Sequence, residues 1–512
     1  MSRVVVVGAG PAGINAARAA AAAGAEVLLI DSATAAGGQY HRQNSRRAAA
    51  GSADGTRWNV AALALPAGVE HLGHTVVWAW EPAPGGGHRL HLRTGPADGP
   101  ALPGRGIDTP ALVLATGAYD RALPFPGWDL PGVYTVGAAQ ALAKGQGVAV
   151  GERVLLAGTG PFLLPVAASL IGVGARVVGV LEANDPVTGW LSQSAGLLAG
   201  RGKAGELAGY AALFARHRIP YLRRSTVVEA HGEDRVEALT TARLDRQWNV
   251  VPGSARHIEA DAVCVGFGFT PQLELAVAAG CSLDGGFVSV DAAQATSVPG
   301  VFAAGELTGI GGATLAADEG TVAGTAAAHL LGARPRAPVR ALRRVREGRR
   351  FAAALDRVYP VGPGWRSWPR EDTLVCRCEE VTLGELRRAV EDREACGVRS
   401  LKLVSRAGLG LCQGRVCGRN AAELAGLPDP ATAFARRPIA TPVRLGELAL
   451  GAQDLGADNL STQALGAQDL GADNLSTHGP SAREQGAHGP NTHARATHIR
   501  TTHDPITQEE QE

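Results

Sequence analysis

A strand–turn–helix unit at the N-terminus constrains the fold of this chain more than any other feature. Val4–Val7 is a short apolar run that predicts a buried parallel strand, and an alanine-rich helix is predicted from Ile14 to Ala23. A second predicted strand, Glu26–Ile30, ends at the acid Asp31. The turn between the first strand and the helix reads Gly8-Ala9-Gly10-Pro11-Ala12-Gly13. Strand, glycine turn, helix, strand and acid in this order predict a fold that binds a dinucleotide.

Each glycine of this turn has a physical role. Gly8 permits the tight turn, Gly10 lets the backbone approach a pyrophosphate, and Gly13 lets the helix pack against the strand. The phosphates would then lie at the helix N-terminus, where backbone N–H groups have no partner within the helix. Asp31 is predicted to accept the hydroxyl groups of an adenosine ribose.

Four further motifs narrow the choice of dinucleotide. They are Gly37-Gly38-Gln39, Ala115-Thr116-Gly117 after the strand Ala111–Leu114, Gly305-Glu306 after a strand that begins at Val301, and Gly311-Gly312-Ala313 before a helix. Together they resemble the signatures of two-dinucleotide-domain flavoproteins, the pyridine nucleotide-disulfide oxidoreductase superfamily. The resemblance implies that the first fold binds FAD and that Ala115-Thr116-Gly117 closes over it. It also implies that Glu306, where that superfamily usually has Asp, reaches the ribityl chain or the pyrophosphate.

A second unit of the same kind begins at Arg153. The strand Arg153–Ala157 is followed by a turn, a helix and the strand Arg176–Leu181, which ends at Glu182. The turn reads Gly158-Thr159-Gly160-Pro161-Phe162-Leu163. Leu163 occupies the third glycine position and is expected to push helix and strand apart. Gly158, Gly160 and Glu182 are therefore candidates for binding NAD, but another nucleotide, or a fold that only supports the flavin domain, remains open.

The cysteines are unevenly distributed. Five of the seven lie between Cys376 and Cys417, and the spacing groups them as two close pairs plus Cys396. The proposed metal ligands are Cys376, Cys378, Cys412 and Cys417. Four thiolates suit either zinc or an iron–sulfur cluster, and spacing alone leaves both open. We favour iron–sulfur because a redox centre has a use beside a flavin.

The residues around these pairs resemble a small helical 2Fe–2S domain of the bacterioferritin-associated ferredoxin (BFD) type. Thr382 is predicted to cap a helix that runs from Leu383 to Glu394, with Glu385 completing a capping box. Cys396 is interpreted as a small packed residue and Cys264 as a core residue.

Other classes of protein are disfavoured by what is missing from the sequence. A thiol reductase of the same superfamily would carry a close cysteine pair near the flavin, and none precedes Cys376. His41, in the loop after Gln39, is interpreted as a surface or packing residue, so no catalytic residue is assigned. Lys and Arg (49) nearly balance Asp and Glu (48), which gives no basic surface for nucleic acid. No apolar run approaches the roughly 20 residues of a membrane span, and a cytoplasmic location is expected.

The sequence therefore predicts an α/β protein with two Rossmann-like dinucleotide-binding folds, a small helical iron–sulfur domain and a disordered tail. The flavin domain is expected to be discontinuous, because the strand before Gly305 must return to the first sheet. Ala449–Thr462 recurs without change as Ala464–Thr477 in a polar tail. The predicted boundaries are residues 1–126 and 260–332 for the FAD domain, 127–259 for the NAD(P)-type fold, 333–368 for a linker, 369–448 for the 2Fe–2S domain and 449–512 for the tail.

The whole chain resembles a narrower family: the FAD-dependent subunit of opine oxidases, the matching subunit of hydrogen cyanide synthase, and the alpha-type subunits of multimeric proline or hydroxyproline dehydrogenases. The most specific stretches are Ala115–Arg121 with Pro124–Trp128, Gly137–Gln140, Cys412–Arg415, and Arg437-Pro438 with Pro442-Val443.

This resemblance implies a hetero-oligomer without a membrane span. A glycine-oxidase-like FAD subunit would oxidise an opine, an imino or D-amino acid, or glycine, and this chain would relay the electrons to an acceptor. A stand-alone NADH-dependent flavoprotein is the alternative, and a docking or sensing module on an inactive flavin fold is a third interpretation.

Overall fold

The structure, a computed structural model, describes residues 3–42, 63–95, 104–193, 196, 200–437 and 439–448. The predicted disordered tail at residues 449–512 lies outside the described residues. The strands are β1 (Val4–Val7), β2 (Val27–Ile30), β3 (Val69–Leu72), β4 (Thr75–Pro82), β5 (His88–Thr94), β6 (Arg105–Thr109), β7 (Ala111–Leu114), β8 (Ala118–Asp120), β9 (Val133–Thr135), β10 (Arg153–Thr159), β11 (Arg176–Glu182), β12 (Tyr221–Arg223), β13 (Ser225–His231), β14 (Ala238–Arg243), β15 (Arg256–Glu259), β16 (Ala262–Phe267), β17 (Phe269–Pro271), β18 (Leu283–Asp284), β19 (Phe287–Val288), β20 (Val301–Ala303), β21 (Leu374–Cys376) and β22 (Val381–Thr382).

The helices alternate with strands in the first two thirds of the chain and follow them in the last third. They are α1 (Pro11–Ala22), α2 (Val136–Gln146), α3 (Leu163–Gly172), α4 (Pro186–Leu191), α5 (Ala204–His217), α6 (Glu274–Ala278), α7 (Gly312–Leu330), α8 (Val339–Val358), α9 (Leu383–Glu391), α10 (Val398–Ser405) and α11 (Gly418–Leu424). Helix α1 begins at Pro11 rather than Ile14, because proline is well placed at a first helical position, where its missing N–H costs nothing.

The first sheet is parallel, with the strand order β20-β7-β1-β2-β3. Val4–Val7 is buried on both faces, because Val5 and Val7 pack into one apolar cluster and Val4 and Val6 into another. Such continuous apolar runs are typical of parallel strands that helices or sheets cover on both sides. Strand β20, which comes almost 190 residues after β7, pairs with it. The late strand therefore returns to the first sheet, as the sequence predicted.

The second sheet is also parallel and has the strand order β12-β11-β10-β16-β9. This order corrects one predicted boundary. Strand β16 was assigned to the flavin domain by the boundary at residue 260, yet Ala262–Phe267 pairs with β10 and β9 of the second sheet. Cys264 lies in this strand and is fully buried, as predicted. The other predicted boundaries stay predictions.

Helices α1 and α7 pack directly against each other without side chains between them. A Cβ atom on Gly320 would lie 2.0 Å from the carbonyl oxygen of Ala12, and one on Gly324 would lie 2.0 Å from that of Ala16. Only glycine permits this backbone contact. The close approach brings the N-terminal ends of both helices to the carboxyl ends of the strands of the first sheet.

The predicted linker is largely a helix. Within residues 333–368, α8 spans Val339–Val358 and packs Ala341, Val345 and Ala352 against Leu315 and Val322 of α7. Its arginines are also paired: Arg344 lies 2.7 Å from Asp318, and Arg349 lies 2.9 Å from Glu319. The arginines of this segment alternate with apolar residues at helical spacing, which is the pattern of an amphipathic helix.

Residues 369–448, called the four-cysteine region below, contain a short hairpin and three helices. The predicted capping box is confirmed: the Glu385 N–H donates to the Thr382 hydroxyl, and the Thr382 N–H donates to the Glu385 carboxylate. Helix α9 ends at Glu391, three residues earlier than predicted. Cys396 is exposed, so its interpretation as a packed residue is wrong, and the buried residue at this position is Ala395.

Candidate functional site

The glycine turn of the first fold leaves no room for side chains at two of its three glycines. A Cβ on Gly8 would lie 2.2 Å from the carbonyl oxygen of Ala115, and one on Gly13 would lie 1.7 Å from that of Gly8. Gly8 also has a φ of +104°, which favours glycine. The turn is therefore pressed against the end of β7, where Ala115-Thr116-Gly117 begins. The Thr116 hydroxyl holds this strand end by donating to the carbonyl of Gln272 at 3.0 Å.

Gly10 differs from its two neighbours, because a Cβ at this position would meet no atom within 4 Å. Gly10 is the N-cap of α1, and no side chain accepts the first N–H groups of that helix. Gly38 lies directly over the turn, since its own Cβ would come within 2.8 Å of the Gly10 Cα. Free N–H donors, a helix N-terminus and open space beside a glycine fit a pyrophosphate.

A cavity of about 300 Å³ opens between the N-terminal ends of α1 and α7. It is lined by Pro11, Ile14, Asn15, Arg18, Tyr40, His41, Ala313, Thr314 and Ala317. Gln39, just before this loop, accepts from the Arg42 guanidinium at 2.7 Å. Burial lowers the pKa of His41, and the nearby positive charge of Lys144 lowers it further. His41 is therefore a neutral loop residue at pH 7, and its interpretation as a surface or packing residue stays a prediction.

Asp31 lies beside the turn, but its carboxylate is bound to the chain itself. One oxygen accepts from the N–H of Ala9 and the other from the N–H of Ala33 at 2.7 Å. A carboxylate oxygen accepts more than one hydrogen bond, so both retain acceptor capacity toward ribose hydroxyls. The ribose contact predicted for Asp31 stays a prediction, and the structure adds a second role, which is to fix the turn to the end of β2.

Two glutamates follow strand β20 and act differently. Glu306 is surrounded mostly by protein, although part of its surface stays exposed, and burial raises its pKa to about 7. The Gly312 N–H donates to it and partly offsets this effect, so Glu306 faces the start of α7, where Gly312-Ala313 lies. Glu319 is 2% exposed and accepts from the Gly305 N–H at 2.9 Å and the Thr308 hydroxyl at 2.8 Å. Glu319 thus holds the Gly305-Glu306 strand end in place, a role the sequence did not reveal.

The turn of the second fold also approaches a neighbouring strand closely. A Cβ on Gly158 would lie 1.8 Å from the carbonyl oxygen of Gly266 in β16, whereas one on Gly160 would meet nothing within 4 Å. Leu163 is 1% exposed and belongs to the core between α3 and the sheet. The predicted separation of helix and strand is thus filled by the leucine side chain itself.

Glu182, the acid of the second fold, is fully buried, with no exposed surface. Its carboxylate accepts from the Thr159 hydroxyl at 2.8 Å, the Gly160 N–H at 2.9 Å and the Asn184 N–H at 2.9 Å. Burial raises its pKa to about 7 despite these hydrogen bonds. The Glu182 carboxylate is thus held by the chain itself, and its contact with NAD stays a prediction.

Asn184, whose N–H donates to Glu182, also contacts residues that are distant in the chain. Its amide nitrogen donates to the Thr159 hydroxyl at 2.8 Å and to the carbonyl of Pro360 at 2.9 Å. Its amide oxygen accepts from the indole N–H of Trp248 at 3.1 Å. Trp248 is 1% exposed and stacks on Trp368, with ring centroids 5.9 Å apart. The segment after α8 therefore closes the acid end of the second fold.

The structure brings the four predicted ligand cysteines together. The thiol of Cys417 contacts those of Cys376 and Cys412, and Cys412 also contacts Cys378. The pKa of Cys376 is lowered to about 6, chiefly by the hydrogen bond from Cys417, and that of Cys412 is lowered for the same reason. Burial raises the pKa of Cys378, and the hydrogen bonds to Cys376 and Cys412 raise that of Cys417, so the fit to a metal centre rests on the contact of four sulfur donors.

The loop that carries Cys412 and Cys417 is shaped by glycines and one aromatic ring. A Cβ on Gly408, Gly414 or Gly418 would lie 2.4, 2.6 or 2.6 Å from the ring of Phe434. The four thiols contact one another and are not spaced around a single metal ion. No other group of three or more His, Cys, Asp and Glu side chains among the described residues is spaced to hold one either. Cys396 and Cys281 stand apart from the four thiols, and Cys281 instead contacts the Thr296 hydroxyl at 3.5 Å.

The four-cysteine region is held against the residues that follow Ala115-Thr116-Gly117. Arg415, between Cys412 and Cys417, donates to the Tyr119 hydroxyl at 2.7 Å. The buried pair Arg121–Glu423 has an N–O distance of 2.6 Å, and the Asn420 amide donates to the carbonyl of Ala122 at 2.6 Å.

The indole N–H of Trp128 donates to the carbonyl of Leu374 at 2.6 Å. Tyr119, Arg121, Trp128 and Arg415 belong to stretches that carried the family resemblance, yet sequence reasoning gave them no role. The signal available in the sequence was the set of polar residues that directly follows Ala115-Thr116-Gly117.

Fold and site together define a flavoprotein oxidoreductase with two dinucleotide folds and an appended iron–sulfur domain. The chain belongs to the pyridine nucleotide-disulphide oxidoreductase family, whose model matches residues 2–320. A BFD-like [2Fe-2S] binding domain matches residues 374–425. FAD and a 2Fe–2S cluster are accordingly its cofactors, and the preference for iron–sulfur over zinc is confirmed.

Two relatives and one solved structure are similar over long stretches. Hydrogen cyanide synthase subunit HcnB of Pseudomonas aeruginosa is 35% identical over 323 residues, which is 60% of this chain and 68% of that protein. An opine oxidase subunit of Rhizobium meliloti is 34% identical over 356 residues, which is 66% of this chain and 75% of that protein.

The crystal structure of L-proline dehydrogenase from P. horikoshii has a TM-score of 0.60 at 20% identity. It covers 87% of this chain and 79% of its own, which shows a shared fold. The family suspected from the sequence is thus confirmed. Within the described parts of the chain, no helix has both the length and the hydropathy that crossing a bilayer requires.

Proposed function

We propose that this chain is the electron-relay subunit of an amine or amino-acid dehydrogenase complex. A glycine-oxidase-like FAD subunit would oxidise the substrate, an opine, an imino or D-amino acid, or glycine, and this chain would pass the electrons to an acceptor. When bound, FAD takes up electrons in pairs and a 2Fe–2S cluster takes them one at a time, so the two together convert paired into single-electron transfer. The hydrogen cyanide synthase and opine oxidase relatives both carry the word subunit in their names, which supports a hetero-oligomer.

One contact carries this proposal. The hydroxyl of Tyr119, two residues after Gly117, lies 2.7 Å from the Nε of Arg415, three residues after Cys412. The strand end that the flavin signature assigns to FAD and the loop that holds two of the four thiols therefore meet in one hydrogen bond. A relay requires a short separation between its two redox groups. The buried Arg121–Glu423 ion pair also joins these two regions.

The closed acid end of the second fold argues against the alternative, a stand-alone NADH-dependent reductase. Glu182 would have to bind the adenosine ribose, and its three hydrogen bonds and complete burial leave it unreachable. The electrons are therefore proposed to come from a partner protein rather than from NADH.

An anaerobic reduction experiment tests the proposal. The purified chain is mixed with NADH, or with its co-expressed amine-oxidising partner and a panel of opines, imino acids, D-amino acids and glycine. We expect the flavin absorbance to bleach and a reduced-cluster EPR signal to develop only with the partner and one of these substrates. Bleaching by NADH alone would establish the alternative, and a chain without flavin absorbance would contradict both.

A matched pair of cysteine variants tests the cluster. Cys412→Ala is expected to lose most of the bound iron, because it removes one of the four contacting thiols. Cys396→Ala is expected to keep the iron content of the unmodified chain, since Cys396 is exposed and is not one of the contacting thiols. Equal iron loss in both variants, or zinc in place of iron in the unmodified chain, would refute the assignment of the site.

A further inference from the structure

Arg415 occupies an unusual position beside the four thiols. It lies between Cys412 and Cys417 in sequence, and its side chain is 16% exposed. Its Nε contacts the Tyr119 hydroxyl at 2.7 Å and the Glu274 carboxylate at 3.0 Å, and its guanidinium lies 5.8 Å from the centre of the Tyr119 ring. Its other nitrogens donate to the carbonyls of Cys412 and Ala440. One side chain thus joins the thiol loop to the strand that follows Ala115-Thr116-Gly117.

The charges around Arg415 do not balance. Arg437 contacts the same Glu274 oxygen at 3.5 Å, so one carboxylate serves two guanidinium groups. Lys402 interacts electrostatically with Arg437 and with Cys417. Burial raises the pKa of Tyr119 to about 12, so its phenol contributes no negative charge at pH 7. Two largely buried guanidinium groups, those of Arg415 and Arg437, therefore share the single carboxylate of Glu274 beside the loop that carries Cys412 and Cys417.

A cluster held by four thiolates is an anion, and reduction adds one more negative charge. Nearby charge and solvent exposure are among the factors by which a protein sets the reduction potential of an iron–sulfur cluster. A positive charge kept away from water stabilises the reduced form more than a solvated one does, because the effective dielectric is lower. Arg415 meets these conditions, since its side chain is largely shielded from water and contacts four different partners.

We propose that Arg415 is a positioning residue that sets the reduction potential of the cluster. Through Tyr119 and Glu274 it fixes the Cys412–Cys417 loop against strand β8, which follows Ala115-Thr116-Gly117. Its positive charge favours the reduced cluster. The negative charge of Glu274 opposes that of Arg415 and reduces its effect on the reduction potential. This inference rests on the proposed function, because it requires a redox-active cluster in the four-cysteine region.

A redox titration of the holoprotein, followed by EPR of the reduced cluster, tests the inference through the sign of the shift. Arg415→Gln is expected to lower the midpoint potential by about 59 mV, which corresponds to a tenfold change for one electron. Glu274→Gln is expected to raise the potential, since it removes the opposing negative charge. Tyr119→Phe removes a hydrogen bond but no charge, so a much smaller shift is expected.

Two controls separate a charge effect from a folding effect. Arg388→Gln removes an exposed positive charge from helix α9 of the same region and is expected to leave the potential unchanged. If Arg415→Gln binds too little iron to titrate, Arg415→Lys preserves the charge and should keep a potential close to that of the unmodified chain.

Three outcomes overturn the inference. They are an unchanged potential in Arg415→Gln with full iron content, equal shifts in Arg415→Gln and Arg388→Gln, and a lowered potential in Glu274→Gln. A failure of the proposed function looks different. In that case the unmodified chain contains no iron, or its iron cannot be reduced, before any variant is compared.

Discussion

The two nucleotide folds of this chain share one motif order and differ in how open they are. In the first, Asp31 is partly exposed and accepts from one backbone N–H of the turn, that of Ala9, and from the N–H of Ala33. In the second, Glu182 is completely buried, and Asn184, Trp248 and Pro360 cover it. The motif indicates the shared strand–turn–helix geometry. Whether a ligand reaches that geometry depends on residues far away in sequence, here the segment after α8.

The third position of the turn differs for a related reason. Gly13 lies so close to Gly8 that any side chain would overlap a carbonyl oxygen, because α1 is pressed onto the first sheet by α7. Leu163 instead fills the space between α3 and the second sheet. The leucine adds buried apolar surface to the second fold, and the binding of a dinucleotide there stays a prediction.

Gly10→Ala tests the open turn of the first fold. Its Cβ would meet no protein atom and would project into the open space beside the turn. We expect at least about a tenfold loss of FAD affinity, roughly 1.4 kcal/mol, measured as flavin retained after gel filtration. The free energy of unfolding of the flavin-free chain should fall by no more than about 1 kcal/mol, the usual cost of alanine at an N-cap.

Gly205→Ala is the matched control for this variant. Gly205 lies exposed in helix α5, and its Cβ would also meet nothing within 4 Å. Gly205→Ala should leave the flavin content unchanged. Full flavin retention in Gly10→Ala would mean that the open space is not where the pyrophosphate binds.

The sequence was sufficient for the features that depend on local pattern. The glycine turns, the capping box at Thr382 and each of the two close cysteine pairs follow from residues close together in the chain. These features are set by steric demands and by hydrogen bonds within a few residues. Local pattern also identified the return of β20 to the first sheet, through the Gly305-Glu306 signature.

Features that depend on distant packing could not be obtained in this way. Nothing near Glu182 in sequence indicates that Trp248 and Pro360 will cover it. Strand β16 was assigned to the wrong sheet because its apolar run fits either one, and only its pairing with β10 decides. Arg415 and Tyr119 lie almost 300 residues apart, so their contact is invisible to motif analysis. The same distance explains why the sequence left NAD binding by the second fold open.

The second prediction concerns the pH dependence that burial gives to Glu182. Its pKa is raised from 4.5 to about 7 in the folded chain, so the folded state binds the proton more tightly than the unfolded state does. The unfolding free energy that Glu182 contributes is therefore highest below pH 4.5 and is lost as the pH rises through about 7. The loss would be on the order of 3 kcal/mol.

Urea unfolding of the unmodified chain and of Glu182→Gln, between pH 4.5 and pH 8, measures this effect. The difference between the two unfolding free energies should change across that range, with the unmodified chain losing more stability. Other titrating groups cancel in the difference. If the difference between the two unfolding free energies did not change with pH, the burial of Glu182 would be contradicted. The case against a dinucleotide in the second fold would then be lost.

Asn184→Ala tests directly how the acid end of the second fold is held. The substitution removes the partner of the Trp248 indole N–H and of the Pro360 carbonyl. We expect a loss of about 1–2 kcal/mol in unfolding free energy, because the indole N–H is left buried without an acceptor while water can replace the partner of Pro360. Asn249→Ala is the control, since the exposed Asn249 amide contacts only Asp245 among its side-chain partners in the described structure, and its substitution should cost less than about 0.5 kcal/mol. Equal losses in the two variants would show that Asn184 does not hold the closing segment, and the difference between the two folds would then need another cause.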